Sequence, residues 1–130
     1  MISRLFAIVC AIACAIPAYS SAASVRFEGE WSVSCGKSGY QCFWTIEKHK
    51  GVYQAYFTAA DQMNVEMKRC TDGAKGKASG KGLDLMMAHG GYRLSATPAA
   101  DGSIVLKPIG GWHQDCAGFN MFGTLSPIGY

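Results

Sequence analysis

The stretch VRFEGEWSVSCGKSGYQCFWTI, residues 25–46, decides the fold. Its odd positions read Val25, Phe27, Gly29, Trp31, Val33 and Cys35, and its even positions read Arg26, Glu28, Glu30, Ser32 and Ser34. Successive side chains of a strand point to opposite faces, so this alternation describes one apolar face and one wet face. Gly36-Lys37-Ser38-Gly39 supplies turn chemistry. On the return, Cys42, Trp44 and Ile46 share a face against Phe43, Thr45 and Glu47. Both cysteines are in phase with the tryptophan face of their own strand. A hairpin would therefore place Cys35 and Cys42 within disulfide reach.

The same alternation recurs downstream. Val52–Thr58 reads as a third strand, and Met63, Val65 and Met67 mark a fourth. Cys70 falls out of phase with that face, so either a bulge intervenes or the strand has ended. Thr71–Gly82 (TDGAKGKASGKG) has no large apolar residue and reads as a mobile loop. Leu83–Ala88, the run from Tyr92 to Ala96, Ile104–Ile109 and Phe119–Leu125 complete the series. Short strands separated by turns roughly every 8–12 residues, with no helical period, predict an all-β fold. The expected architecture is an antiparallel meander of about eight strands closing as a small barrel, with a β-sandwich as the alternative.

The chain of 130 residues has room for a single domain. Residues 1–23 are expected to be a removed signal peptide, leaving 24–130 as the barrel domain. Met1-Ile2-Ser3-Arg4 is a basic start, Leu5–Ile16 is too short an apolar run to span a bilayer, and Ser20-Ser21-Ala22-Ala23 is a small-residue cleavage region. The expected location is the bacterial periplasm or the exterior. Lipid anchoring through Cys14, after Ala11-Ile12-Ala13, is the alternative. No transmembrane segment follows. Cys10 and Cys14 leave with the signal, and Cys35, Cys42, Cys70 and Cys116 remain. An even set in a small exported domain reads as disulfides rather than zinc ligands, because no C-x2-C pair is present. Of three connectivities, Cys35–Cys42 with Cys70–Cys116 is favoured: one fixes a hairpin and the other ties mid-chain to the end.

Gly29-Glu30-Trp31 resembles the G-x-W opening of the calycin barrels, which include lipocalins and resemble bacterial metalloprotease inhibitors. The resemblance implies that Trp31 closes the barrel bottom under an arginine from the last strand. Here the last arginine is Arg93, well before that strand.

The formal net charge of +3, lowered by one when Arg4 leaves, is too small to argue for nucleic acid. Ser34-Cys35-Gly36-Lys37 matches S-x-x-K, but it spans a strand end and a turn where the chemistry needs a helical turn. Ser79-Gly80-Lys81 fails as a P-loop, since Lys75 stands at the first glycine and Gly82 at the hydroxyl position. His113 and Asp115, with His49 or His89, are the candidate metal or catalytic set; a turn-exposed histidine beside a disulfide is the simpler account. No metal site, cofactor or enzymatic activity is expected. Lys68, Arg69, Lys75, Lys77 and Lys81 outweigh Asp72, an excess suited to an acidic partner protein, an anionic polymer or a lipid surface. The expected function is that of an exported non-enzymatic binding protein. It would be an inhibitor or immunity-type module docking on another exported or envelope protein through loops bearing Lys37, Tyr40, Lys75, Lys77 and Lys81. The alternative is a lipocalin-like carrier holding a small apolar ligand among Trp44, Tyr53, Tyr56 and Tyr92.

Overall fold

The structure is a computed structural model and describes residues 26–110 and 115–128. The expected signal peptide, Cys14, Trp112 and His113 lie outside the described residues. Eight strands follow in order: β1 (Gly29–Val33), β2 (Tyr40–His49), β3 (Val52–Asp61), β4 (Asn64–Ser79), β5 (Gly82–Met87), β6 (Arg93–Pro98), β7 (Ile104–Ile109) and β8 (Gly123–Pro127). Each pairs antiparallel with the next, and β8 pairs with β1, so the meander closes as a barrel and not as a sandwich. Among the described residues there is no helix.

The alternation read from the opening stretch is the inward and outward alternation of the wall. Trp31 pairs with Trp44, and Trp44 with Phe57, all facing in. The Trp44 and Phe57 rings meet at 5.4 Å between centroids. Alanines at 55, 59 and 74 stand beside them on the inner face and give these rings room. Leu85, Leu94, Ile104 and Leu125 occupy the axis from the other strands. Trp31 is buried, and its indole N–H donates to the Phe27 carbonyl at 2.9 Å. Both disulfides join the expected pairs, Cys35 with Cys42 and Cys70 with Cys116. Val33, not Cys35, stands opposite Cys42, so the first bridge closes the bend beyond the end of β1.

Two expectations are corrected. Thr71–Gly82 is not a loop: β4 continues through it to Ser79, and the chain turns at Gly80-Lys81. Its alternation is real, but the inner-phase residues beyond Asp72 are Ala74, Gly76 and, exposed at the barrel's end opposite Leu83, Ala78, while Thr71, Lys75 and Lys77 face out. Small residues are used because the strands pack closely there; a Cβ on Gly76 would collide with the Asp84 carbonyl. Second, the last strand does not start at Phe119. Phe119 and Met121 belong to the β7–β8 connection, which turns inward and buries both side chains. The out-of-phase Cys70 is explained by a bulge. The register of β4 shifts between the partners of Ala59, Ala60 and Asp61, which are Cys70, Lys68 and Asn64.

Candidate binding surfaces

The β1–β2, β3–β4, β5–β6 and β7–β8 connections all emerge at one end of the barrel, and both disulfides lie there. The β7–β8 connection caps this end. The indole N–H of Trp44 donates to the Met121 carbonyl at 2.8 Å. The Asn120 amide N–H donates to the Cys35 carbonyl at 3.0 Å, and Asn120 Nδ2 donates to the carbonyls of Ser34 and Phe122 at 3.0 and 2.7 Å. The Gln62 N–H reaches across to the Gly39 carbonyl at 3.0 Å. These bonds tie three of the four connections into one surface.

Lys37 and Tyr40 meet on that surface through Phe119. The Lys37 ammonium lies 4.5 Å from the centroid of the Phe119 ring, and Tyr40 packs edge-on against it at 4.9 Å. The other three lysines assigned to docking loops stand elsewhere. Lys75 and Lys77 project from the outer wall of β4, and Lys81 sits in the turn at the opposite end. The four aromatic residues assigned to a cavity are also dispersed. Trp44 is in the axis, Tyr53 packs on Phe27 at one end, and Tyr92 packs near Phe122 at the other. Tyr56 faces outward and is 45% exposed. Asp115 is exposed, and His89 Nδ1 lies 2.9 Å from Asp72 Oδ1. Among the described residues no three His, Cys, Asp or Glu side chains converge as a metal site, and no helix is long and apolar enough to cross a membrane.

Beside the cap, the β3–β4 hairpin stands out from the barrel. The bulged register releases residues 65–67 from pairing with β3. Met63, at the turn, is 95% exposed, and Val65 and Met67 are half-exposed. The base of the projection is fixed by Arg69, whose Nε and Nη2 donate to the two carboxylate oxygens of Asp61 at 3.1 and 3.0 Å. The paired carboxylate also raises the Arg69 pKa, first through the hydrogen bond and then through its charge. In the sequence these apolar residues look like an ordinary strand face. The signal that they face solvent was the phase break at Cys70.

A second outward surface lies on the wall of β3–β5. Tyr56 stands opposite Gly73, and Lys75 opposite Met86. Gly73 leaves a gap between the Tyr56 ring and Met86, and the resulting groove encloses about 400 Å³. The Tyr56 hydroxyl donates to Gln54 Oε1 at 2.8 Å, which holds one wall of the groove. The chain matches no family model, no curated protein and no solved structure.

Proposed function

We propose that this protein is an exported, non-enzymatic binding module of the inhibitor or immunity type. It docks on another exported protein through the disulfide end of its barrel. The observation that carries this reading is the apolar tip Met63, Val65 and Met67, held out by the Arg69–Asp61 fork beside a cap crosslinked by two disulfides. Exposed apolar groups clustered on a rigid support are the usual mark of a protein contact, because their burial is favourable and little ordering entropy opposes it. Two disulfides suit a protein that works in an oxidising compartment, the periplasm or the exterior. The eight-stranded closed meander and the buried Trp31 support kinship with the calycin barrels.

The test is a photo-crosslinking residue placed at Met63, and in a control at the exposed Ser126 on β8, in cells that export the protein. The expected result is a discrete crosslinked species from position 63 that position 126 does not give. No species, or the same species from both, rejects the docking end. The carrier reading draws on the closed eight-stranded barrel. Its ligand would need room beside Trp44, Phe57, Leu94 and Leu125, which fill the axis. Saturable quenching of tryptophan fluorescence by apolar ligands is its test.

A further inference from the structure

The groove over Gly73 adjoins a band of positive charge. The outward residues in register across the wall run Gln54, Lys75, Met86, Arg93 and Ile109. The next row runs Lys77, Asp84, Ser95 and Lys107. Lys75 and Lys77 are two residues apart on one strand, so their Cα atoms are about 6.6 Å apart, and neighbouring strands lie about 4.8 Å apart. Four cations therefore face out over a small area, with Asp84 as the only carboxylate in the two rows. Arg93 already holds Asp84, donating from Nε at 3.2 Å and more closely from Nη2. A shallow groove of about 430 Å³ runs between these side chains and shares Lys75 and Met86 with the apolar groove.

We infer that this wall is a docking groove for an acidic, extended segment of a partner protein. A bulky apolar side chain of the segment seats over Gly73 between Tyr56 and Met86, and carboxylates to one side of it meet Lys75, Lys77 and Lys107. The inference rests on the docking function proposed above for the identity of its occupant as a protein. Two features choose a peptide over a single anionic amphiphile. The cations stand on three strands, β4, β6 and β7, a spread that matches a series of carboxylates and not one head group. The outer faces of β3 and β4 also lead from the groove, past the paired Thr58 and Thr71, toward the exposed hairpin tip. A partner held at the tip can extend along the same wall.

The experiment uses the whole oxidised protein with methyl-labelled methionines. The probe is a short glutamate-rich peptide with one central phenylalanine. Controls replace the phenylalanine with alanine or the glutamates with lysine, and decanoate stands for the amphiphile. The peptide is expected to shift the Met86 methyl resonance saturably and to leave that of Met63 in place. Gly73→Leu fills the floor of the groove. A Cβ there meets only the Ala55 carbonyl at 3.5 Å and Tyr56 Cδ1 at 3.9 Å, ordinary contacts, so the fold should hold. This variant, and separately Met86→Ser, should weaken binding about tenfold or more. Lys75→Glu with Lys77→Glu should weaken it and flatten its salt dependence. No saturable shift, equal binding of the lysine peptide, tighter binding of decanoate, or full affinity in folded Gly73→Leu and Met86→Ser proteins would each overturn the groove. A discrete crosslink from position 63 beside a null titration removes the groove and leaves the docking function. A bound peptide with no crosslink from position 63 supports the groove and removes the tip.

Discussion

Two glycines three residues apart on β4 carry opposite constraints. Gly76 faces inward against the backbone of Asp84 and Leu85, and a Cβ there has nowhere to go, since backbone cannot rotate aside as a side chain can. Gly73 faces out, and a Cβ there would make only ordinary contacts, with the Ala55 carbonyl at 3.5 Å and Tyr56 Cδ1 at 3.9 Å. Gly76→Ala should therefore cost roughly 1–3 kcal/mol of stability, while Gly73→Ala should stay within about 0.5 kcal/mol. Urea midpoints of the two variants check the contrast. Trp44 offers a test of a single donor. It is 1% exposed, and Trp44→Phe keeps a ring in place while leaving the Met121 carbonyl without its indole partner. The expected loss is about 1–3 kcal/mol, measured in the same way. Asp101 provides a pH handle. The Ser103 hydroxyl and amide both donate to its Oδ1, and these bonds, the hydroxyl first, hold the carboxyl below its ordinary range. A carboxylate with a depressed folded-state pKa contributes stability above its unfolded value and loses it as pH falls through the folded value. A carboxyl carbon NMR titration should find Asp101 protonating at lower pH than an unstructured aspartate. In Ser103→Ala that midpoint should rise.

At the scale of elements, the two disulfides should differ in weight. Cys35 and Cys42 are separated by 7 residues, and Cys70 and Cys116 by 46. Loop-closure entropy assigns about 2.5 kcal/mol to the short bridge and about 4 kcal/mol to the long one. Denaturant unfolding of the two paired alanine variants should rank them in that order. Both pairings were legible in the sequence: Cys35 and Cys42 are in phase on two strands joined by a short turn, and Cys70 with Cys116 is the remaining pair, which ties mid-chain to the end. The strand β4 was not. Its inner positions past Asp72 carry alanine and glycine, so no large apolar residue marks the buried face, and lysines on the other face imitate a solvated loop. The small residues are a response to close packing across the barrel, which is a property of the assembled wall and absent from any local window. The fourth strand marked by Met63, Val65 and Met67 is present, but its exposure was not legible, for the converse reason. Met63, Val65 and Met67 have a buried face's composition, and only the bulge, set by pairing with β3, turns them to solvent. Phe119 and Met121 continue an apparent strand pattern but serve as a plug, since the open barrel end beneath the disulfides needs apolar volume.

At the scale of the whole molecule, closure decides where the barrel opens first. β3 pairs with both neighbours over most of its length, from Tyr53 opposite Gly76 to Asp61 opposite Asn64 on one side and along all of β2 on the other. The closing seam is much shorter. β1 meets β8 at Trp31 with Pro127 and Ser32 with Ser126, supported by the Ile128 N–H on the Glu30 carbonyl at 3.0 Å and a long bond from Ser32 Oγ to the Ser126 carbonyl. Pro127 has no amide hydrogen to add to the ladder. β8 meets β7 only from Ile104 with Leu125 to Leu106 with Gly123. What holds β8 is mainly the burial of Leu125 and the anchoring of its preceding loop by Cys116, which lies before the plug and not within the strand. Local opening follows the least supported backbone bonds. Amide exchange should therefore be fastest among the paired amides of β8 and its β1 partners, and slowest in β2 and β3. Reduction of Cys70–Cys116 should accelerate exchange in β8 and the plug more than in β2. Uniform protection around the barrel, or slowest exchange at the seam, would mean that the plug and not the ladder sets the order of opening.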